Sequence, residues 1–142
     1  MTSATTTLRK TSAAEETEAA GEELGRRLRT GDLVLHKGEL GAGKTTFVRG
    51  VARGTGSTSA VASPTFQLVR IYPGRLQLAH VDLYRVEKRD ELSDLGLEEL
   101  LDSGAVIVEW GERLDVDDAA LIEFEHLGGD RRLIRTKRDL RH

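Results

Sequence analysis

The segment Gly38-Glu39-Leu40-Gly41-Ala42-Gly43-Lys44-Thr45 constrains this chain more than any other. It fits G-x-x-x-x-G-K-[ST], and its flanks matter as much as the string itself. Before it, Leu33-Val34-Leu35 is a short unbroken apolar run, which suits a strand covered on both faces, as in a parallel sheet. After it, Thr45 to Arg53 reads as a helix with Phe47, Val48 and Val51 on one side. A strand, a glycine loop and a helix in that order suit phosphate for two physical reasons. Glycines permit conformations that turn several backbone N–H groups into one concavity. A helix N-terminus adds N–H groups without intrahelical partners and roughly half a positive charge. In this reading Lys44 reaches the β- and γ-phosphates and the Thr45 hydroxyl ligates Mg²⁺. Gly38, Glu39, Leu40, Gly41, Ala42, Gly43 and Thr46 complete the cradle. The bland alternative is a glycine-rich turn before a helix with an exposed lysine.

The rest of the chain reads as one α/β domain over residues 1–142, with ragged ends at 1–5 and 138–142. Thr6 to Arg9 is a short strand. Ser12-Ala13-Ala14-Glu15 predicts a capping box, Ala20, Leu24 and Leu28 give the following helix its apolar stripe, and Gly31 is its C-cap. Gly54 to Ser63 lacks periodicity and reads as a loop. Phe66 to Ile71 and Leu76 to Asp82 are strand-like, joined through Tyr72-Pro73-Gly74-Arg75, which has Pro and Gly where a type II turn wants them. That hairpin makes the sheet mixed. Leu92, Leu95, Leu97, Leu100 and Leu101 mark a helix ending near Gly104, and Ala105 to Val108 is a buried strand. Leu121 to Glu125 and Arg132 to Thr136 form a second hairpin about Gly128-Gly129-Asp130. The expected fold is a P-loop NTPase-type three-layer arrangement, a central mixed β-sheet flanked by helices.

Composition removes several function classes. The absence of cysteine excludes disulfides, thiolate zinc sites and thiol nucleophiles. No apolar run approaches the roughly 20 residues of a membrane span, and a cytoplasmic location is expected. The net charge of −3 argues against a protein held to nucleic acid by a global basic charge, while leaving local patches open.

Two further groups, at Asp82 and at Glu109-Trp110, fall at the carboxyl ends of strands, where open α/β sheets bind ligands, and a third, Thr65, ends the loop that enters a strand. Asp82 ends His80-Val81-Asp82 and is the candidate Walker-B-type carboxylate for Mg²⁺; its alternative role is to cap the next turn. Leu83 stands where many P-loop ATPases place a glutamate, so intrinsic hydrolysis should be slow. Ser63-Pro64-Thr65-Phe66 presents Thr65 as a switch hydroxyl or, equally, as part of a Ser-Pro turn. Glu109 and Trp110 follow the strand at 105–108. Glu109 can replace the missing carboxylate and Trp110 can cover a base, although the residues alone favour a Trp packed on the sheet rim.

In combination these segments resemble one family, the bacterial P-loop ATPase TsaE (YjeE) of tRNA threonylcarbamoyladenosine biosynthesis. The resemblance is carried by Gly38 to Phe47, by Ser63-Pro64-Thr65-Phe66, by His80-Val81-Asp82-Leu83-Tyr84-Arg85 and by Val108-Glu109-Trp110, in order and spacing from about Thr11 to Arg113. The first motif is generic; the three that follow, in this order, are specific. Glu39 stands where the family usually has Asp or Asn, and Gly111 where Pro often follows Trp. The resemblance implies binding of ATP and Mg²⁺, weak ATP hydrolysis alone, and action with TsaB and TsaD, which place a threonylcarbamoyl group on the adenosine beside the anticodon. It assigns Lys44 and Thr45 to the P-loop, Thr65 to the switch, Asp82 to the Mg²⁺ side, and Glu109 and Trp110 to the nucleotide's surroundings.

Other readings compete. Thr136-Lys137-Arg138-Asp139 matches the guanine-reading string of small GTPases, but only three residues follow it. A small-molecule kinase needs an acceptor pocket and usually an Arg-bearing lid, for which 86–101 is short. A regulatory module that binds nucleotide without useful turnover fits the missing glutamate. Arg131, Arg132, Arg135, Lys137, Arg138 and Arg141 form the densest basic cluster, either solvated or touching tRNA or an acidic partner face.

Overall fold

The computed structural model describes residues 6–38, 44–58, 69–82, 96–109 and 119–137. Along the chain these form β1 (Thr6–Thr11), α1 (Ala14–Arg27), β2 (Leu33–Gly38), α2 (Lys44–Gly54), β3 (Val69–Tyr72), β4 (Gln77–Asp82), α3 (Leu97–Ser103), β5 (Gly104–Glu109), β6 (Ala120–Gly128) and β7 (Arg131–Lys137). The strands make one sheet of seven in the order β1-β7-β6-β2-β5-β4-β3. Four neighbours, β6, β2, β5 and β4, run parallel, while β3, β7 and β1 add as antiparallel flanks. The sheet is mixed and flanked by helices, as the two hairpins predict.

Alternation along the strands sorts the core into two layers. Val34, Leu78, Ala105, Ile107, Ala120, Ile122, Phe124 and Ile134 face α1 and α2, meeting Ala20, Leu24, Phe47, Val48 and Val51. Leu33, Leu35, Ala79, Val81, Val106 and Val108 face the other way, where Leu97, Leu100 and Leu101 of α3 pack. The apolar residues read from periodicity are therefore in the core. Leu92 and Leu95, predicted for the same helix as Leu97, lie outside the described residues.

The two helices on the first face touch backbone to backbone. A Cβ on Gly21 would overlap the Phe47 carbonyl, and one on Gly50 would overlap that of Glu18. Gly25 and Gly54 meet directly: a Cβ on either would stand 2.8 Å from the other's Cα. Glycines four apart on each helix thus permit an approach that any side chain would block. Gly54 is the last residue of α2 and part of this contact, a correction to its reading as the start of a loop.

Other local expectations shift. The N-cap of α1 is Ala13 and makes no side-chain cap bond. Glu16, not Glu15, accepts a hydrogen bond from the Ser12 N–H at 2.9 Å, so the expected box is displaced by one residue. The helix stops at Leu28, whose N–H donates to the Gly25 carbonyl; Gly31 is a left-handed turn residue (φ 93°) leading into β2 rather than the cap. Gly74 has no positive φ, so the β3–β4 connection is not the predicted type II turn. Its glycine answers to space instead, since a Cβ there would lie 2.6 Å from the Thr55 carbonyl oxygen.

Candidate functional site

The parallel strands β2, β4 and β5 end side by side. Asp82 pairs in register with Glu109, and Glu109 with His36, so the carboxyl ends of β4 and β5 lie level with the end of β2. This is the edge on which open α/β sheets bind ligands. The chain leaves β2 at Gly38 and α2 begins at Lys44, which brings a helix N-terminus to the same edge. The first turn of α2 carries no acidic residue, whereas α1 and α3 begin with Glu15, Glu16 and Glu98, Glu99. Carboxylates stabilise a helix start by offsetting its partial positive charge. At α2 that charge is left for something else.

Beneath this start lies a small aromatic cluster. His36 is fully buried, its ring centroid 5.6 Å from Phe47 on α2 and 4.8 Å from Phe124 on β6. The two phenylalanines meet edge to face at 5.0 Å. Each such aromatic pair adds about 0.5–1.5 kcal/mol beyond area burial. The cluster fixes the first turn of α2 against the strand that feeds it. Gly38 belongs to the same packing, since a Cβ there would stand 3.0 Å from the Phe124 Cβ. The first glycine of the motif therefore has a packing role that sequence reading does not assign.

Glu109 lies on the α2 side of the sheet, and His80 Nε2 stands 3.1 Å from its Oε1. Both side chains are largely buried, at 15% and 13% exposure. The ring nitrogen lies off a good hydrogen-bond line, so the contact is a close polar approach rather than an aligned bond. It adds a histidine beside the candidate carboxylate at the sheet edge. Period-two alternation places His80 on one strand face with Asp82, the signal by which sequence alone could have found it.

Of the residues singled out from sequence, Asp82 and Glu109 pair at this edge, Gly38 ends β2, and Lys44, Thr45 and Thr46 open α2. Thr45 and Thr46 are half-buried in the first turn of α2. For Lys44 and Asp82 the backbone position is what the structure describes. Glu39, Leu40, Gly41, Ala42, Gly43, Thr65 and Trp110 lie outside the described residues, as do Ser63, Leu83 and Gly111.

The family profile described as Threonylcarbamoyl adenosine biosynthesis protein TsaE matches residues 11–134. The chain belongs to the TsaE family. Among TsaE relatives it is 50% identical to the Streptomyces coelicolor protein over 98 residues, covering 63% of this chain and 66% of that protein. It is 42% identical to the Treponema pallidum protein over 102 residues, covering 71% and 76%. The relative from Nostoc sp. is 40% identical over 122 residues, covering 82% and 75%. The crystal structure of Bacillus subtilis YdiB superposes with a TM-score of 0.79 at 31% identity, covering 96% of this chain and 88% of that one. The match to the TsaE profile extends through β6 and into β7, past Arg113 where the recognisable motifs stop.

Proposed function

We propose that this chain binds ATP with Mg²⁺ at the carboxyl edge of β2, β4 and β5 and hydrolyses it slowly when alone. Through that cycle it supports threonylcarbamoylation of the tRNA adenosine next to the anticodon, acting on a TsaB–TsaD complex in the cytoplasm. Among the described residues no helix is long and apolar enough to cross a membrane, which is compatible with such a setting. The observation that carries the reading is the start of α2. It follows the glycine motif that leaves β2, carries no first-turn carboxylate, and packs Phe47 on His36, the residue in register with Glu109 and Asp82.

Those residues fit a nucleotide polyphosphate and its metal. The uncompensated helix start and Lys44 suit phosphate oxygens, and Thr45 with Asp82 supplies hard oxygen ligands of the kind Mg²⁺ prefers. Thr65 completes that set in the proposal. When bound, Mg²⁺ neutralises charge on the β- and γ-phosphates. Glu109, held beside His80, is the carboxylate placed to orient a water, and Trp110 follows it to cover the nucleotide. Leu83 after Asp82 leaves the second usual carboxylate absent from its normal position, so a partner that reorders the site accounts for activity that the chain alone lacks.

The test is phosphate release from ATP with the chain alone, with the TsaB–TsaD pair, and with the pair plus tRNA. Slow turnover alone and stimulation by the pair are expected. Lys44→Ala should lose most nucleotide affinity, while Asp82→Ala should keep much of it and lose Mg²⁺-dependent turnover. Background hydrolysis under all three conditions would replace this reading with a nucleotide-binding regulatory module. Phosphate appearing on an acceptor other than water would make it a kinase.

A further inference from the structure

The antiparallel end of the sheet carries an unusual charge distribution. β1 and β7 contain Arg9, Lys10, Arg131, Arg132, Arg135 and Lys137 and no acidic residue. The chain as a whole has a net charge of −3, so the basic residues are segregated here against the general balance.

Strand register divides them between two faces. Arg9 turns towards α1, where it pairs with Glu23, and Thr11 on the same face bonds the buried Thr17 hydroxyl at 2.7 Å. The other face holds one row made of Lys37, Glu123, Arg135 and Leu8, each opposite the next across β2, β6, β7 and β1. Lys10, Arg131 and Lys137 share that face by alternation. Lys137 Nζ forms an ion pair with Glu123 Oε1 at 2.7 Å. That close contact with Lys137, with the charges of Lys37 and Arg135, holds the Glu123 carboxyl below its ordinary value against the opposing effect of burial. Three cations thus surround one carboxylate. Glu125 is the second acid on the face, leaving five cations to two carboxylates.

This face is exposed where it matters. Lys10 and Lys37 are exposed, and Leu8 is 63% exposed. Among the described residues α3 packs chiefly along β5.

We infer that this open face of β1, β7, β6 and the end of β2 is a binding surface for the phosphate backbone of RNA. Its composition separates that partner from an acidic protein. Protein interfaces have a desolvated apolar centre, are enriched in aromatics and are depleted of lysine. Here lysines and arginines surround the exposed Leu8 and the half-buried Leu133 and Leu121, and β1 and β7 contain no aromatic residue. Without aromatics there is no platform for stacking bases, so the contact is with phosphate and blind to sequence. Lys37 directly precedes Gly38, so the surface begins where the nucleotide edge begins. The choice of RNA leans on the proposed role in tRNA modification; the surface itself does not, and its test uses no ATP.

The experiment is fluorescence anisotropy of a labelled, unmodified tRNA transcript titrated with the full chain. About three net positive charges predict an affinity roughly 40-fold weaker at about 200 mM than at about 50 mM salt. The combined variant Lys10→Gln, Lys37→Gln and Arg135→Gln should weaken binding at least about tenfold at low salt and flatten the salt dependence. Arg29→Gln, away from this face, should bind as the parent does. The double variant Lys10→Gln with Lys37→Gln alters only exposed side chains, so a smaller loss with an unchanged melting curve separates charge from misfolding. Absence of RNA binding at low salt, or parental affinity in the triple variant, overturns the inference. Polyglutamate competing as well as unlabelled tRNA at equal charge overturns it in favour of an acidic protein partner.

Discussion

The two faces of the sheet are covered in opposite ways. On one, α1 and α2 lie side by side with glycines in contact, and the strand residues below them are almost all buried. On the other, α3, seven residues long, packs along β5 and leaves Lys10 and Leu8 in solvent. The first face holds the helix that begins at the candidate phosphate site, and its close contacts leave that helix little freedom. The second is antiparallel at its far end, where one solvated face is the ordinary arrangement. Close helix contact thus belongs to the first face and exposed cations to the antiparallel end of the second, whose central strands carry a buried layer of their own.

The contrast breaks most sharply at Gly50. Gly50→Val places a branched side chain against the backbone of α1 at Glu18 and Glu22, and α1 must move away. A loss of at least about 3 kcal/mol is expected, the upper end for overpacking. Leu8→Ala on the open face should cost under about 0.5 kcal/mol. Urea unfolding of both variants checks the difference. Gly25→Ala and Gly54→Ala press on the same contact, so their double variant should lose less than the two single losses added together. Equal effects at Gly50 and Leu8 would mean that the helices do not depend on the glycine contact.

A second test concerns how the rigid face is tied to the rest of the sheet. Arg75, in the β3–β4 connection, donates through Nη2 to the carbonyls of Gly25 at 3.0 Å, Arg26 at 3.3 Å and Gly54 at 3.1 Å. These carbonyls close α1 and α2, where a cation is favoured by the helix dipole and the terminal oxygens lack intrahelical partners. Arg75→Met should cost about 2 kcal/mol, the scale of hydrogen bonds to a charged donor. Arg75→Lys should recover only part of it, because an ammonium cannot reproduce the guanidinium fork. Thermal melting of the three proteins gives the comparison, and a parental melt for Arg75→Met would show that the hairpin does not fasten the helices.

Much of this arrangement was legible in the residues. Phe47, Val48 and Val51 announced the buried side of α2, and two hairpins announced a mixed sheet. The strand before the motif at 38–45 and the helix after it were legible because each is local and has its own apolar signature. What escaped depends on partners distant in sequence. Gly21, Gly25 and Gly50 show no local signal, since their need for space exists only once α1 meets α2. Gly74 was misread for the same reason: Pro-Gly suggested a turn type, but the backbone at Thr55 decides. His36 and His80 carry no motif weight alone, and register is what places one in an aromatic cluster and the other beside Glu109. The basic cluster was visible as composition; only alternation across β1 and β7 separates the cations facing α1 from those facing outwards.

The smallest effect tests whether the open face is electrostatic in the folded protein. Glu123 has its carboxyl value lowered from 4.5, chiefly by its close contact with Lys137. A lowered value means that the interaction stabilises the fold above about pH 4.5 and that this contribution disappears as pH falls through the lower folded value. Lys137 is 44% exposed, so solvent screening limits the pair. Lys137→Met should therefore lose about 0.5 kcal/mol at about pH 7. The gap between variant and parent should narrow between about pH 7 and an acid pH at which the carboxylate becomes protonated, and also in high salt at neutral pH. Urea midpoints at the two pH values measure it. A gap that stays constant with pH and salt would assign the loss to packing of the lysine stem. The outer face would then owe its stability to aliphatic contact, and the charges of Lys37, Arg135 and Lys137 would be free of any structural duty to Glu123.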